Sequence, residues 1–369
     1  MEQKSVFDNA KAEAFAGKLL EILNGGCLSL LISVGHKTGL FDTLSELQNP
    51  STSEEIAKKA NLNERYVREW LGGMVVGGIV EYFPNEKTYL LPPEHSAFTT
   101  RAAGIDNLAL FSQYVSLMGL VEDKIVNCFR NGGGVPYSEY PDFQSLQAEE
   151  TSRVFDSRLI DQILPLTGTD MVDKLRNGAF VLEIGCGRGH ALNLMAKAFP
   201  NSKFFGYDFS EEGVKAGIKE SKEMKLTNVE FQVKDVNTLT DTNKYDLAMA
   251  FDTIHDQAHP TTVLSKIHEA LKLDGTFLMQ DIAASSNTEE NIQNPLAPTL
   301  YTFSTMHCMT VSLAQDGDGL GTVWGRQMAE QKLREVGFSG PIDVKQIDGD
   351  ILNYYYVVKN TSGHKILIN

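Results

Sequence analysis

Val181-Leu-Glu-Ile-Gly-Cys-Gly-Arg-Gly-His190 is the stretch whose reading decides the fold. An apolar run from Ala179 to Ile184 carries one acid, Glu183, and stops at three glycines, Gly185, Gly187 and Gly189. A strand that ends this way lets the backbone turn sharply and approach a ligand with no Cβ in between. A dinucleotide fingerprint asks for G-x-G-x-x-G, but the sixth place here is His190. Glu183 argues the same way, because a carboxylate repels a pyrophosphate and suits a cationic amino-acid tail. The expected ligand is therefore free of phosphate.

Outward from this turn the pattern is strand–helix alternation. Strands are expected at 179–184, 203–208, 229–233, 245–251, 275–281, 342–347 and 353–359, with helices at 191–198, 211–224, 260–273 and 325–336. Such alternation predicts an α/β fold with a Rossmann-like, mainly parallel seven-stranded sheet covered on both faces. The short turn at Asp348-Gly-Asp350 makes the last two strands an antiparallel hairpin.

The N-terminal half reads differently. Phe15, Leu19, Leu20, Ile22 and Leu23 recur at helical spacing, Gly25-Gly26 is expected to break the run, and Cys27 to Val34 is a second apolar stretch. Ser51-Thr-Ser-Glu-Glu signals a helix start. Another helix follows through Tyr66, Val67, Trp70 and Leu71, then two short strands around a Pro-Asn-Glu-Lys turn. This is a winged-helix arrangement. It divides the chain into a mainly helical winged-helix and dimerisation domain at 1–100, a helical connector and cap at 101–177, and the ligand-binding α/β domain at 178–369.

Charge bears on partners. Residues 1–100 hold nine Lys and Arg against thirteen Asp and Glu, and the candidate recognition helix pairs Arg65 and Arg68 with Glu64 and Glu69. The whole chain has a formal charge of −15, so neither nucleic acid nor an anionic membrane is expected as partner. No run reaches the about 18–20 apolar residues of a membrane span. Cys27, Cys128, Cys186 and Cys308 lie far apart without metal-ligand spacing, which suits reduced thiols. The polar N-terminus resembles no targeting peptide, and a cytoplasmic location is expected.

In an open α/β sheet, ligands bind beyond the carboxyl ends of the strands. The second of these strands ends in Asp208, 19 residues after Gly189, followed by Phe209. Its two oxygens suit a ribose diol. The third ends in Asp235-Val236, an acceptor for an exocyclic amine beside an apolar wall. The fourth, Phe251-Asp252-Thr-Ile-His255-Asp256, brings polar groups to the reactive end. The set resembles the class I S-adenosylmethionine-dependent methyltransferases over residues 176–360. That resemblance implies S-adenosylmethionine as cofactor. Glu183, Gly185, Cys186, Gly187 and Gly189 would then line its amino-acid end, Asp208 and Phe209 its ribose, Asp235 and Val236 its adenine, and Phe251 and Asp252 the far side. Gly39-Leu-Phe-Asp, Glu64-Arg-Tyr-Val-Arg-Glu-Trp-Leu-Gly-Gly73 and the segment from Pro298 to Gly325 look like winged-helix methyltransferases sometimes labelled transcriptional regulators. The architecture is also similar to small-molecule O-methyltransferases that dimerise through their N-terminal part, which implies a homodimer.

The acceptor atom is left open between O, S and N: transfer to an alcohol or phenol is helped by a positioned base, whereas a thiol or amine relaxes that demand. His255 is the candidate, with Asp256 as its orienter. It is similar in place to the His-Asp pair of plant-type O-methyltransferases, although Gln257 stands here where that family has Trp. Tyr137, Tyr301, His307 and Cys308, on two lid-like segments, are the candidate walls of an acceptor pocket for a small molecule. No metal is expected: Met279 is too soft for a hard cation, and Asp281 beside Gln280 is a single carboxylate. Three competitors are an adenosyl-binding transcription regulator, a nicotinamide oxidoreductase and an inactive interface protein.

Overall fold

The computed structural model describes residues 7–361, which divide into two compact units, Met1–Gly119 and Leu120–Asn369. The helical segment 101–177 is thus shared between the units, with 101–119 in the first.

In the first unit, one helix runs from Asn9 to Thr38 without a break at Gly25-Gly26. Two glycines in a helix interior cost about 1 kcal/mol each. Here Leu28, Leu31 and Ile32 beyond them pack on the domain core, and tertiary burial overrides the local preference. Gly35 is where this helix comes close to its neighbour: a Cβ there would lie 2.5 Å from the Trp70 ring. Trp70 is fixed by its indole N–H donating to the Leu31 carbonyl at 2.8 Å. Helices Leu40–Leu47, Ser53–Ala60 and Glu64–Val76 follow, then the wing strands β1 (Glu81–Phe83) and β2 (Thr88–Leu90). Thr52 and Glu55 form the predicted capping box.

Continuity also changes the membrane reading. The unbroken helix Asn9–Thr38 is long and apolar enough to cross a membrane by length and composition, with mean hydropathy 1.4 over its best 18 residues. This corrects the expectation that no run reaches that length.

The second unit is built on a seven-stranded sheet. Its strands are β3 (Phe180–Ile184), β4 (Lys203–Asp208), β5 (Val229–Val233), β6 (Tyr245–Phe251), β7 (Leu271–Ile282), β8 (Ile342–Lys345) and β9 (Asn353–Lys359). Their spatial order is β5-β4-β3-β6-β7-β9-β8, and β9 runs against both neighbours. Side chains alternate between the faces. Val181, Leu247, Met249 and Leu278 join one core with Leu192 and Met195 of helix His190–Ala198. Leu182, Ala248, Ala250, Phe277 and Met279 join the other with Val263 and Ile267 of helix Pro260–Ala270. Both faces being covered explains why these strands read as continuous apolar runs. The strand order reverses at β3, so a crevice opens where β3 and β6 end, beside Gly185 and Asp252.

Candidate active site

The glycine turn needs its glycines for different reasons. All three have positive φ. A Cβ on Gly185 would lie 2.1 Å from Thr253 Oγ1, and one on Gly189 would lie 2.4 Å from the Phe231 ring. One on Gly187 would meet nothing nearer than the Gln144 amide oxygen at 3.8 Å, so the loop presents its open side there. The Gly185 N–H donates to the Tyr207 carbonyl at 2.8 Å, and the Gly187 N–H donates to Asp208 Oδ2 at 2.8 Å. Asp208 Oδ1 accepts from the Ser210 N–H at 2.7 Å. Burial raises the Asp208 carboxyl, and those two N–H donors pull it back.

Glu183 is buried and its Oε2 has no hydrogen-bond partner among the described residues. Burial, reinforced by Asp208, pushes its carboxyl up to about 8, with His190 opposing. An unpaired buried acid is costly, and its retention at a ligand turn suits a cationic group arriving from outside.

His190, the residue that spoiled the dinucleotide fingerprint, is a clamp. Its Nδ1 lies 2.6 Å from Glu220 and its Nε2 lies 2.8 Å from Asp156. It ties the glycine turn to helices Glu211–Glu223 and Phe143–Arg158. The Glu220 hydrogen bond, opposed by burial and helped by Asp156, raises the imidazole to about 9. A raised histidine stabilises the fold fully below its unfolded value of about 6.5 and loses that contribution as pH climbs through about 9. Thermal melts of the wild type should therefore fall between those values, by the equivalent of about 1–3 kcal/mol after allowance for solvent screening. His190→Asn should flatten that slope; a melt curve with the same slope in both proteins would dissociate the clamp from stability.

At the reactive end, His255 is buried, and its Nδ1 lies 2.9 Å from Asp281 Oδ1. The same oxygen accepts from the Trp324 indole at 2.9 Å and from the Ile282 N–H at 2.8 Å. Asp256 Oδ1 lies 3.2 Å from His255 Nε2, and Asp256 Oδ2 accepts from the Tyr137 hydroxyl at 2.7 Å. Burial alone would lower the His255 pKa, but Asp281 and then Asp256 outweigh it and hold the imidazole well above its ordinary value. Asp252, at positive φ, is raised to about 7 by burial, with His255 opposing.

Residues 175–336 match the family described as methyltransferase domain, and residues 26–101 match the Rv2258c-like winged HTH domain. The chain carries an S-adenosylmethionine-dependent methyltransferase domain behind a winged helix-turn-helix domain. Among curated proteins it is similar to (S)-coclaurine N-methyltransferase of Papaver somniferum, 29% identical over 109 residues, or 30% of this chain and 31% of that protein. It is also similar to malonyl-(acyl-carrier protein) O-methyltransferase of Bacillus cereus, 24% identical over 51% of this chain and 68% of that protein. The chain thus spans under a third of the first relative and about two thirds of the second. The fold is shared with human N-acetylserotonin methyltransferase, solved in complex with SAM, at TM-score 0.68 and 16% identity over 98% of this chain and all of that one.

Within the methyltransferase domain, the structure distributes the sequence candidates unevenly. Tyr137, His255, Asp256, His307 and Cys308 come together: Tyr137 packs edge-on against His307 at 5.0 Å, and Cys308 joins His255 and Asp256. Phe209, 55% exposed, touches Tyr137 at 5.4 Å, so that ring stands between the end of β4 and the His255 group. Tyr301 is not brought to this group. Its ring is partly exposed and its hydroxyl reaches Thr288 and Asn291, because its helix turns that face outward. Phe251 packs on Phe155 in the core at 5.1 Å. Asp235 caps the turn Val236–Thr238 with Oδ1 and stays exposed, while Val236 is buried. Burial pushes the Cys186 thiol well above its ordinary value, so it is a small filler in the turn.

Two expectations need correction. Asp281, not Asp256, fixes the imidazole, because residue 256 is adjacent in sequence and meets only the opposite nitrogen. Nor is Asp281 a lone carboxylate, since Asp252 from the neighbouring strand lies with it and His255, their ligand atoms all within 4.8 Å of one another. Its Oδ1, however, is already taken by three N–H donors. Asp281 and Trp324 are what sequence reading missed. The available signal was an acid inside the buried run Phe277–Ile282.

Proposed function

We propose that the chain transfers a methyl group from S-adenosylmethionine to a small-molecule acceptor, with His255 as general base. The observation that carries the reading is the pairing of an orphaned buried Glu183 with the open side of the glycine turn at Gly187. The residues fit the cofactor. Glu183 and the 185–189 turn would hold its cationic amino-acid end, Asp208 its ribose, and Asp235 and Val236 its adenine.

When bound, the cofactor supplies an electrophilic methyl group that needs no metal. The chain's own residues supply the rest. They hold the acceptor atom about 3–3.5 Å from its target and in line. Asp281, held by Trp324, keeps His255 Nδ1 occupied, so Nε2 is the nitrogen left for the acceptor's proton. Asp256 then meets the charge that results. Tyr137, lying across Phe209, Phe143 and His307, excludes water from the junction.

The winged helix has an interface role in this reading. Arg65 and Arg68 of its second helix are paired with Glu69 and Glu64 at 2.5 and 3.2 Å, which leaves little charge for phosphate. Phe15, Leu19, Leu20, Ile22 and Leu23 on the long first helix are all at least half exposed, a patch that a second copy of the chain would cover.

Calorimetric titration with S-adenosylhomocysteine tests the cofactor assignment. The wild type should bind, and Asp208→Ala should bind at least about tenfold more weakly, since hydrogen bonds to a charged group contribute about 1.5–3 kcal/mol. Equal affinity in the two proteins would remove Asp208 from the site. No binding to the wild type would sink the methyltransferase reading itself.

A further inference from the structure

We infer that the buried Nε2 of His307 receives a second hydrogen-bond donor of the methyl acceptor, which is then an uncharged or cationic aromatic molecule bearing two X–H groups. This deepens the methyltransferase reading and rests on it.

His307 sits in a π-helical turn, Ser304–Cys308, and is buried. Such turns are frequent at functional sites. Its Nε2 has no partner among the described residues, a state that costs about 1–3 kcal/mol when the atom is out of water. Its Nδ1 lies 3.7 Å from Cys308 Sγ, and in the tautomer with the proton on Nδ1, facing the sulfur, Nε2 keeps the bare lone pair. Burial lowers the imidazole to about 4, with Asp256 opposing, so the ring is neutral at physiological pH. A neutral, buried lone pair asks for a donor, and none of the described residues provides one.

The surroundings define that donor's carrier. His307 stacks on Phe143 at 4.1 Å with 12° between planes, and the Tyr137 and Tyr140 rings meet it edge-on at 5.0 and 4.7 Å. Tyr140 is pinned by its hydroxyl donating to the Met306 carbonyl at 2.5 Å. An aromatic ring is the shape such walls accept. Charge then narrows the class. Asp252, Asp256 and Asp281 surround His255, so an anionic acceptor is repelled. His255 Nδ1 is taken by Asp281, and Cys308 lies against His255 as well as against His307. The two imidazoles therefore flank one sulfur.

Access runs past Tyr137. The strap before it contains Gly132 and Gly133 at φ 74° and 80°, and it is moored where the Val135 N–H donates to Thr310 Oγ1 at 2.8 Å. Exchange of the Tyr137–Asp256 hydrogen bond for an acceptor contact is the opening step.

The test is calorimetry on the full chain saturated with S-adenosylhomocysteine, using catechol, phenol and benzoate as probes. Catechol should bind about fivefold or more tighter than phenol, and benzoate should not bind. His307→Phe keeps the stacked ring and removes Nε2. It should leave S-adenosylhomocysteine affinity unchanged and bring catechol down to the phenol value. In unsubstituted protein labelled at the histidine ring carbons, catechol should move the His307 resonance more than phenol does, a readout independent of the variant's folding. An unchanged catechol-to-phenol ratio in the variant, benzoate binding as well as phenol, or no binding of any probe overturns the inference. Failure of S-adenosylhomocysteine to bind the wild type instead removes the underlying methyltransferase reading.

Discussion

His255→Ala should lower kcat by about 10²–10⁴-fold, the range that one positioned proton acceptor contributes, with S-adenosylhomocysteine affinity unchanged. The separation follows from position, since His255 sits past the end of β6, while Glu183, Asp208 and the glycine turn lie at β3 and β4. pH gives the sharper signature. A base acts only once deprotonated, and Asp281 and Asp256 outweigh burial to hold this imidazole protonated well above its ordinary range. The wild-type rate should therefore rise as pH increases beyond neutrality. Asp281→Asn removes the nearest negative charge and should shift that rise to lower pH. Removing one partner of a buried pair also costs about 3–5 kcal/mol of stability, so urea unfolding must accompany both variants. A pH–rate profile that is flat in the wild type, or that stays in place in Asp281→Asn, would take the base role from His255.

Gly185→Ala should destabilise the chain by about 2–4 kcal/mol and abolish measurable S-adenosylhomocysteine binding. Two separate penalties combine. A side chain at φ 66° costs about 1–2 kcal/mol in left-handed backbone. The new Cβ would also stand 2.1, 2.7 and 2.9 Å from Oγ1, Cβ and Cγ2 of Thr253. Rotation of Thr253 cannot relieve this, because its own Cβ is among the clashing atoms. Urea denaturation of Gly185→Ala, Thr253→Ala and the double variant separates the parts. The double variant should recover part of the clash and none of the backbone cost. Full recovery would mean that the positive φ imposes no penalty there. A Gly185→Ala protein as stable as wild type would contradict the packing of the turn.

How far the sequence reaches differs between the two halves of the site. Glu183, Gly185, Gly187, Gly189 and Asp208 are legible because turn and strand end are local features: a glycine needed for positive φ, or an acid ending an apolar run, shows in a few adjacent residues. The seven strands were legible for the same reason, since burial on both faces leaves continuous apolar runs. The reactive end was not. Asp281 stands 26 residues beyond His255 and meets it only because β7 lies beside β6, and Trp324, 69 residues beyond His255, donates to Asp281. Tyr301, on an aromatic segment that looked like a pocket wall, turns outward to Thr288 and Asn291, since a helix's own sequence does not say which face its neighbours cover.

The long first helix makes the same distinction. Gly25-Gly26 is a local signal for a break, and locally it is correct. Packing of Leu28, Leu31 and Ile32 on the Trp70 core outweighs the about 2 kcal/mol that two helical glycines cost. Sequence by itself determined the α/β sheet, the glycine turn and the carboxylates at the ends of β3 and β4, because each is written in a short period or a single backbone requirement. Tertiary structure alone decided which acid holds His255, which ring faces His307 and where the first helix ends. Those outcomes depend on contacts between residues far apart in the chain, whose energies no local pattern carries.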